Sequence, residues 1–251
     1  MKIIIINADD FGINMPVTKE IERMVEDGAI SSTTIMANGQ CLDEVQRFSL
    51  EHPQISYGVH LCLSEFGSIT KSPTLFKYGL IDGNGNFIHK QIFKIKKFNE
   101  ELKQAIKEEL IAQIEVVKSL GITISHADSH HHAHTIYPLR KVFSEVLQTT
   151  GISKIRLGGD PMSLRARIHL YSWIRRIRLN NYYRSLFKTT NKFFSYSIYL
   201  RIQNKLCDNC VVELMCHPGH QGKIYRDEMG LVEAKEALKE NNIKLISYNE
   251  L

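Results

Sequence analysis

Residues 2–7, KIIIIN, form an unbroken β-branched run that ends in a polar residue. A strand with one wet face alternates apolar and polar residues, so this run predicts a strand covered on both faces. Strands of that kind belong to parallel sheets, whose crossover helices lie over the faces. The chain continues accordingly. Val17, Ile21 and Met24/Val25 recur at helical spacing, and Gly28 stops the helix. Further strands are expected at residues 29–39, 55–63, 122–128, 154–157, 211–217 and 243–248, with helices at 42–50, 99–120, 138–149 and 231–240. The helix at 99–120 is the clearest, with Leu102, Ile106, Leu110, Ile114 and Val117 on one face and Gly121 after it.

Strands alternating with helices imply parallel βαβ units. About seven such units in one α/β domain, residues 1–251, fit a distorted (β/α) barrel-like fold better than an open sheet. Two stretches break the rhythm. Residues 64–98 are rich in Gly, Lys and turn formers and read as a long excursion over one face, a length that signals function or disorder. Residues 161–207 hold ten Lys/Arg, nine aromatic residues and no Asp or Glu, leaving 22 basic and 27 acidic residues elsewhere. The net charge of +5 therefore belongs to one segment. Leu164, Ile168, Tyr171, Ile174 and Ile177 recur there at helical spacing, which predicts a basic helical insertion.

Five irregularly spaced cysteines argue against a disulfide framework, and the lone Cys207-x-x-Cys210 reads as a pair of reduced thiols. The first residues lack the apolar length of a signal peptide, and no stretch of about 18 apolar residues suggests a membrane span. A cytoplasmic protein is the expectation.

In a barrel-like fold, chemistry gathers at the C-terminal ends of the strands. There the chain places Asp9-Asp10, then His60, then Asp128 with His130-His131-His132, and late in the sequence Cys216-His217-Pro218-Gly219. Any one of these alone is more often a cap or a satisfied core residue; four strand ends in agreement point to a site. Two histidines and a carboxylate suit a borderline divalent cation with open coordination positions. The segment SHADSHHHAH, residues 125–134, holds five of the chain's eleven histidines. On an extended backbone His126, Asp128, His130 and His132 would share one face and His131 the other. Spacing alone does not choose among His126, His130 and His132.

The motifs NADDFG, GVHLCL, HADSHHHAH and ELMCHPG, in that order, resemble the YdjC-like family, which includes chito-oligosaccharide deacetylases. SSTTIMANG and the terminal IKLISYNEL match its pattern as well. The resemblance implies hydrolytic removal of an acetyl group from N-acetylated sugars with one divalent metal ion, magnesium or zinc. It makes Asp10, His60 and His130 the metal ligands, Asp9 the general base, and His217 the acid that serves the leaving amine. Asp128, His126 and His132 then become supporting or substrate-lining residues. Another amide or ester is the alternative substrate, as is a lipid-linked glycan met at a membrane surface. The cations and aromatics of residues 161–207 would suit contact with an anionic membrane. Nucleic acid is not an expected partner, and the sequence leaves homo-oligomer formation open.

Overall fold

The computed structural model describes residues 2–159, 170–206, 209–219, 230–239 and 243–251. Strands and helices alternate as β1 (Lys2–Phe11), α1 (Met15–Glu26), β2 (Ser32–Ile35), α2 (Leu42–Glu51) and β3 (Ser56–Leu61). A short α3 (Pro73–Lys77) precedes α4 (Glu100–Ser119), β4 (Ala127–Ser129) and α5 (Arg140–Thr150). The chain then forms α6 (Leu170–Leu186), β5 (Lys192–Ser195), α7 (Tyr196–Ile202), β6 (Val211–Cys216), α8 (Leu231–Leu238) and β7 (Ile243–Leu245).

All ladder pairs are parallel, in the order β4-β3-β2-β1-β6-β5, and β7 pairs with the start of β1. Among the described residues the ladder does not join β4 to β5. Isolated parallel bridges, Ala127 with Ile155 and Lys154 with Lys188, carry the curl across that gap. Residues 154–157, expected as a strand, thus take a strand's place without a continuous ladder. The sheet is a curled half-barrel wrapped by helices.

β1 outlasts its apolar run because Asn7 and Ala8 find partners on both sides, Ser32 and Thr33 of β2 and Met215 and Cys216 of β6. Its side chains alternate between faces. Ile4, Ile6 and Ala8 pack into the main core with Val17, Ile21 and the expected face of α4. Ile5 packs on the other face with Ile246 and Tyr248. Asn7 and Asp9 follow Ile5 on that second face, so the sequence of β1 changes the concave side from apolar to polar along the strand.

The excursion at 64–98 is anchored. Glu109, fully buried on α4, accepts hydrogen bonds from Ile69 N (2.9 Å), Thr70 N (2.9 Å), Ser68 Oγ (2.7 Å) and Thr70 Oγ1 (2.6 Å). One turn on, Gln113 acts as a strand edge for Cys62, accepting from its N at 2.8 Å and donating to its O at 2.7 Å. The basic segment contains the expected helix as α6, but it also supplies β5 and α7, which the helical spacing from Leu164 to Ile177 does not reveal. Phe193 and Phe194 bury there, and Lys192–Ser195 pairs with β6. The first positions of the predicted helix, Leu164 and Ile168, lie outside the described residues. Cys210 is disulfide-bonded, against the expected reduced thiol, and its partner lies outside the described residues. Among the described residues no helix is long and apolar enough to cross a membrane.

Candidate functional site

Neighbouring residues on a strand face opposite ways, so Asp9 and Asp10 should not both reach the concave side. An irregularity in the β1–β2 register between Ala8 and Phe11 removes the conflict. Asp10 adopts φ of 70°, the left-handed region that Asp tolerates better than most residues. Its buried carboxylate places Oδ1 2.9 Å from His130 Nδ1 and 3.1 Å from His60 Nε2. His60 comes from β3, and His130 from the turn that follows β4. The three donor atoms lie within 4.8 Å of one another.

His60 Nε2 is buried and makes no hydrogen bond, although Asp10 is near. A buried lone nitrogen facing a carboxylate and a second imidazole is an arrangement that a divalent cation completes. The nitrogen-rich donor set fits zinc and related borderline ions. Burial alone would hold both imidazoles low, but Asp128 and Asp10 raise His60 well above its ordinary value. Against the same burial, Asp10 and Glu65 lift His130 to about 10. The field at this point favours positive charge.

Among the described residues two other trios are close enough to consider. Asp9, His60 and Asp128 already surround a cation: Arg156 Nη1 lies 2.6 Å from Asp9 Oδ2 and 2.5 Å from Asp128 Oδ2. Glu65, His130 and His131 form the second, more open to solvent and sharing His130. The Asp10 trio is the one with an open buried nitrogen and no guanidinium inside it.

Each histidine of the trio leans on a carboxylate through its other nitrogen. His60 Nδ1 lies 2.6 Å from Asp128 Oδ1, and His130 Nε2 lies 3.1 Å from Glu65 Oε2. Metal-bound imidazoles characteristically have such partners, which fix ring orientation and tautomer.

Asp9 stands beside the trio in a different environment. Arg156 grips it with Nη1 to Oδ2 and Nη2 to Oδ1, both at 2.6 Å, while Asn7 Nδ2 donates to Oδ1 at 2.9 Å. Burial opposes ionisation, but the guanidinium prevails and holds Asp9 well below the usual carboxylate range. His217 Nε2 lies 3.8 Å from Asp9 Oδ2. The turn after it packs tightly on α1: a Cβ at Gly219, φ 74°, would meet Pro16 O and Val17 Cα at 2.9 Å. That close approach explains the Pro-Gly pair after His217 and fixes where the imidazole hangs.

Behind the site, Arg156 Nε donates to Glu213 Oε1 at 2.7 Å, and Tyr248 Oη donates to Glu213 Oε2 at 2.6 Å. Burial pushes Glu213 up to about 7 despite the arginine beside it.

The histidine run does not stay extended. β4 stops at Ser129, and His131 and His132 take φ of 51° and 57°, so the strict face alternation expected from His126 to His132 ends there. His126 remains under the site, its ring stacked 3.7 Å from Tyr248 and its Nε2 3.2 Å from Asn7 Oδ1. Burial keeps it neutral, well below its ordinary value. His132 Nδ1 is buried without a hydrogen-bond partner, and burial pushes this ring down to about 3. His134 is held by Ser129 Oγ at 2.6 Å from Nδ1.

Sequence reading missed Arg156, Glu213 and Glu65. The first two carried a signal, since charged residues inside KIRL and VVELMC are expensive to bury unless paired. Glu65 carried none, because its place depends on how the excursion is anchored.

A family described as YdjC-like protein matches residues 3–243. A carbohydrate deacetylase of Halalkalibacterium halodurans is 30% identical over 92% of this chain and 91% of its own length. One of Vibrio parahaemolyticus is 35% identical, over 53% of this chain and only 50% of that protein. Among solved structures, an Enterococcus faecalis protein named for cellobiose-phosphate cleavage superposes with a TM-score of 0.74, covering 99% of this chain and 98% of that one. At 24% identity it speaks for the fold alone.

Proposed function

The chain belongs to the YdjC-like family, and from that premise we propose that it is a metal-dependent hydrolase removing the acetyl group from an N-acetylated, chito-oligosaccharide-like sugar. The observation that carries the reading is the convergence of Asp10, His60 and His130 with Asp9 and His217 on one flank. The sugar substrate is supported by relatives named carbohydrate deacetylases.

A divalent cation, zinc or magnesium, held by Asp10, His60 and His130 would supply Lewis-acid polarisation of the acetamide carbonyl and a lowered pKa for the attacking water. Asp128 keeps His60 turned toward that point. Asp9 accepts the proton of the water as it attacks the carbonyl carbon. Arg156 keeps Asp9 ionised across the working pH range and fixes its plane. The same grip makes Asp9 a weak base, so the proton must move on. His217, 3.8 Å away, takes it and delivers it to the departing sugar nitrogen as the C–N bond breaks. His126 supports this arrangement through Asn7, which bonds Asp9. His132, which burial keeps neutral, has a buried Nδ1 without a hydrogen-bond partner, and this supports a supporting role for it beside the site.

Acetate release from N-acetylglucosamine oligomers, run beside simple amides and acetyl esters, tests the substrate. Turnover of the oligomers above the others is expected; preferential turnover of an ester or a non-sugar amide would reassign it. A contact of residues 161–207 with anionic membrane is supported by Tyr171 and Trp173, exposed on α6 near Arg175 and Arg178. Co-sedimentation with anionic vesicles at low salt tests it, and no binding there removes it.

A further inference from the structure

The excursion after β3 does more than cover a face. Its first turn, residues 64–67, carries Glu65 toward the metal trio and is held from four directions. Gln113 fixes the backbone of Cys62 just before it, and Glu109 fixes Ser68, Ile69 and Thr70 just after. Asn38 Nδ2, from the turn after β2, lies 3.1 Å from both Glu65 O and Gly67 O and donates to them. Cys62 Sγ also donates to Glu65 O at 3.3 Å. Phe66, next in sequence, takes φ of 60°, a strained setting that persists only where surroundings dictate it.

So much restraint on one turn has a visible result: Glu65 Oε2 meets His130 Nε2 at 3.1 Å, while Nδ1 of the same ring faces Asp10. The other oxygen of Glu65 takes His89 Nδ1 at 2.7 Å, from the far end of the same excursion. On the opposite side of the trio, Asp128 does the same for His60. We propose that Glu65 is the positioning residue of His130: it accepts the Nε2 proton, so that Nδ1 is left with its lone pair aimed at the metal point. The two ligand histidines are thus poised in opposite tautomers by two carboxylates, one from the sheet and one from the excursion. This inference rests on the metal-binding reading above and deepens it, because loop anchoring and metal affinity become one property.

Without an acceptor at Nε2, the neutral ring is free to carry its proton on Nδ1, where it blocks the ligand position. Loss of such a partner weakens metal affinity about 10–100-fold. The test is a Zn²⁺ titration of chelator-treated protein against a chromophoric competitor, for the wild type, Glu65→Gln and Glu65→Ala, with hydrogen exchange of residues 62–70 followed in the metal-free state. The expected result is one ion per wild-type chain, affinity reduced about 10–100-fold in Glu65→Ala and less in Glu65→Gln, whose amide oxygen still accepts. Exchange protection of the anchored turn should be unchanged in Glu65→Gln, which separates orientation of His130 from collapse of the loop. Wild-type affinity in both variants overturns the inference while leaving the metal site standing. Two ions per wild-type chain, falling to one in Glu65→Ala, also overturns it, since Glu65 would then be a ligand beside His131. No zinc bound by the wild type overturns both this inference and the reading on which it rests.

Discussion

Replacing Arg156 with Met tests the buried charge network most severely. The guanidinium is fully buried and touches three carboxylates: Asp9 at 2.6 Å, Asp128 at 2.5 Å and Glu213 at 2.7 Å. Methionine fills much of the side-chain volume but takes the guanidinium from all three, leaving Asp128 to His60, Asp9 to the Asn7 amide and Glu213 to the Tyr248 hydroxyl. Breaking a buried pair by removing one partner costs about 3–5 kcal/mol. At roughly 2–4 °C per kcal/mol for a chain of this size, that is a fall in Tm of roughly 6–20 °C. The deficit also has a predicted pH dependence. In the wild type Asp9 is held low, so its contribution is present above the unfolded carboxylate pKa and lost as acid protonates it. In the variant the same carboxylates move upward, so stability is kept at low pH and lost as pH rises through their folded values. The wild-type loss falls below pH 5, so between pH 5 and pH 8 it is the variant's raised carboxylates that make the difference between the two proteins larger at pH 8. Urea unfolding of the chelator-treated proteins at those two pH values measures it. A deficit under about 1 kcal/mol at pH 8, below the range for a broken buried pair, or one that does not shrink at pH 5, would mean that Arg156 does not neutralise the three carboxylates.

Asp9→Asn should abolish turnover while zinc affinity stays within a few-fold of wild type; near-normal acetate release would remove Asp9 from the role of base. Gly58→Ala should destabilise the fold by about 1–3 kcal/mol in thermal unfolding, because its Cβ would lie 2.5 Å from His126 Cε1. A Gly58→Ala protein as stable as wild type would mean that the His126–Tyr248 stack is free to move. Glu109→Ala removes the anchor of residues 68–70, so hydrogen exchange there should accelerate without a change in β1; unchanged protection would contradict the anchoring.

Periodicity made most of the frame legible. The β1 run, the face of α4 and the alternation of strands and helices are local properties and are found in the expected order, while the strands expected at 29–39 and 122–128 shorten to Ser32–Ile35 and Ala127–Ser129. β5 was hidden because Lys192-Phe-Phe-Ser195 sits in a segment dominated by helical spacing and positive charge. The strand at 154–157 is reduced to isolated bridges, with Arg156 turned inward to three carboxylates. In the site, strand-end position brought Asp9, Asp10, His60, Asp128, His130 and His217 to attention. The division of labour among the histidines was not legible, because it depends on two left-handed residues, His131 and His132, that end the alternation. Glu65 was beyond reach for a similar reason. Its contact with His130 is set by Asn38, Glu109 and Gln113, residues from elements that sequence spacing does not connect.

The claim that Asp10, His60 and His130 form a hydrolytic metal centre is tested most directly by acetate release from N-acetylglucosamine oligomers before chelation, after it, and after return of one equivalent of zinc or magnesium. Activity should disappear with the chelator and return with a single ion per chain, and should not return in His60→Ala. Acetate release that survives complete removal of metal would contradict that claim.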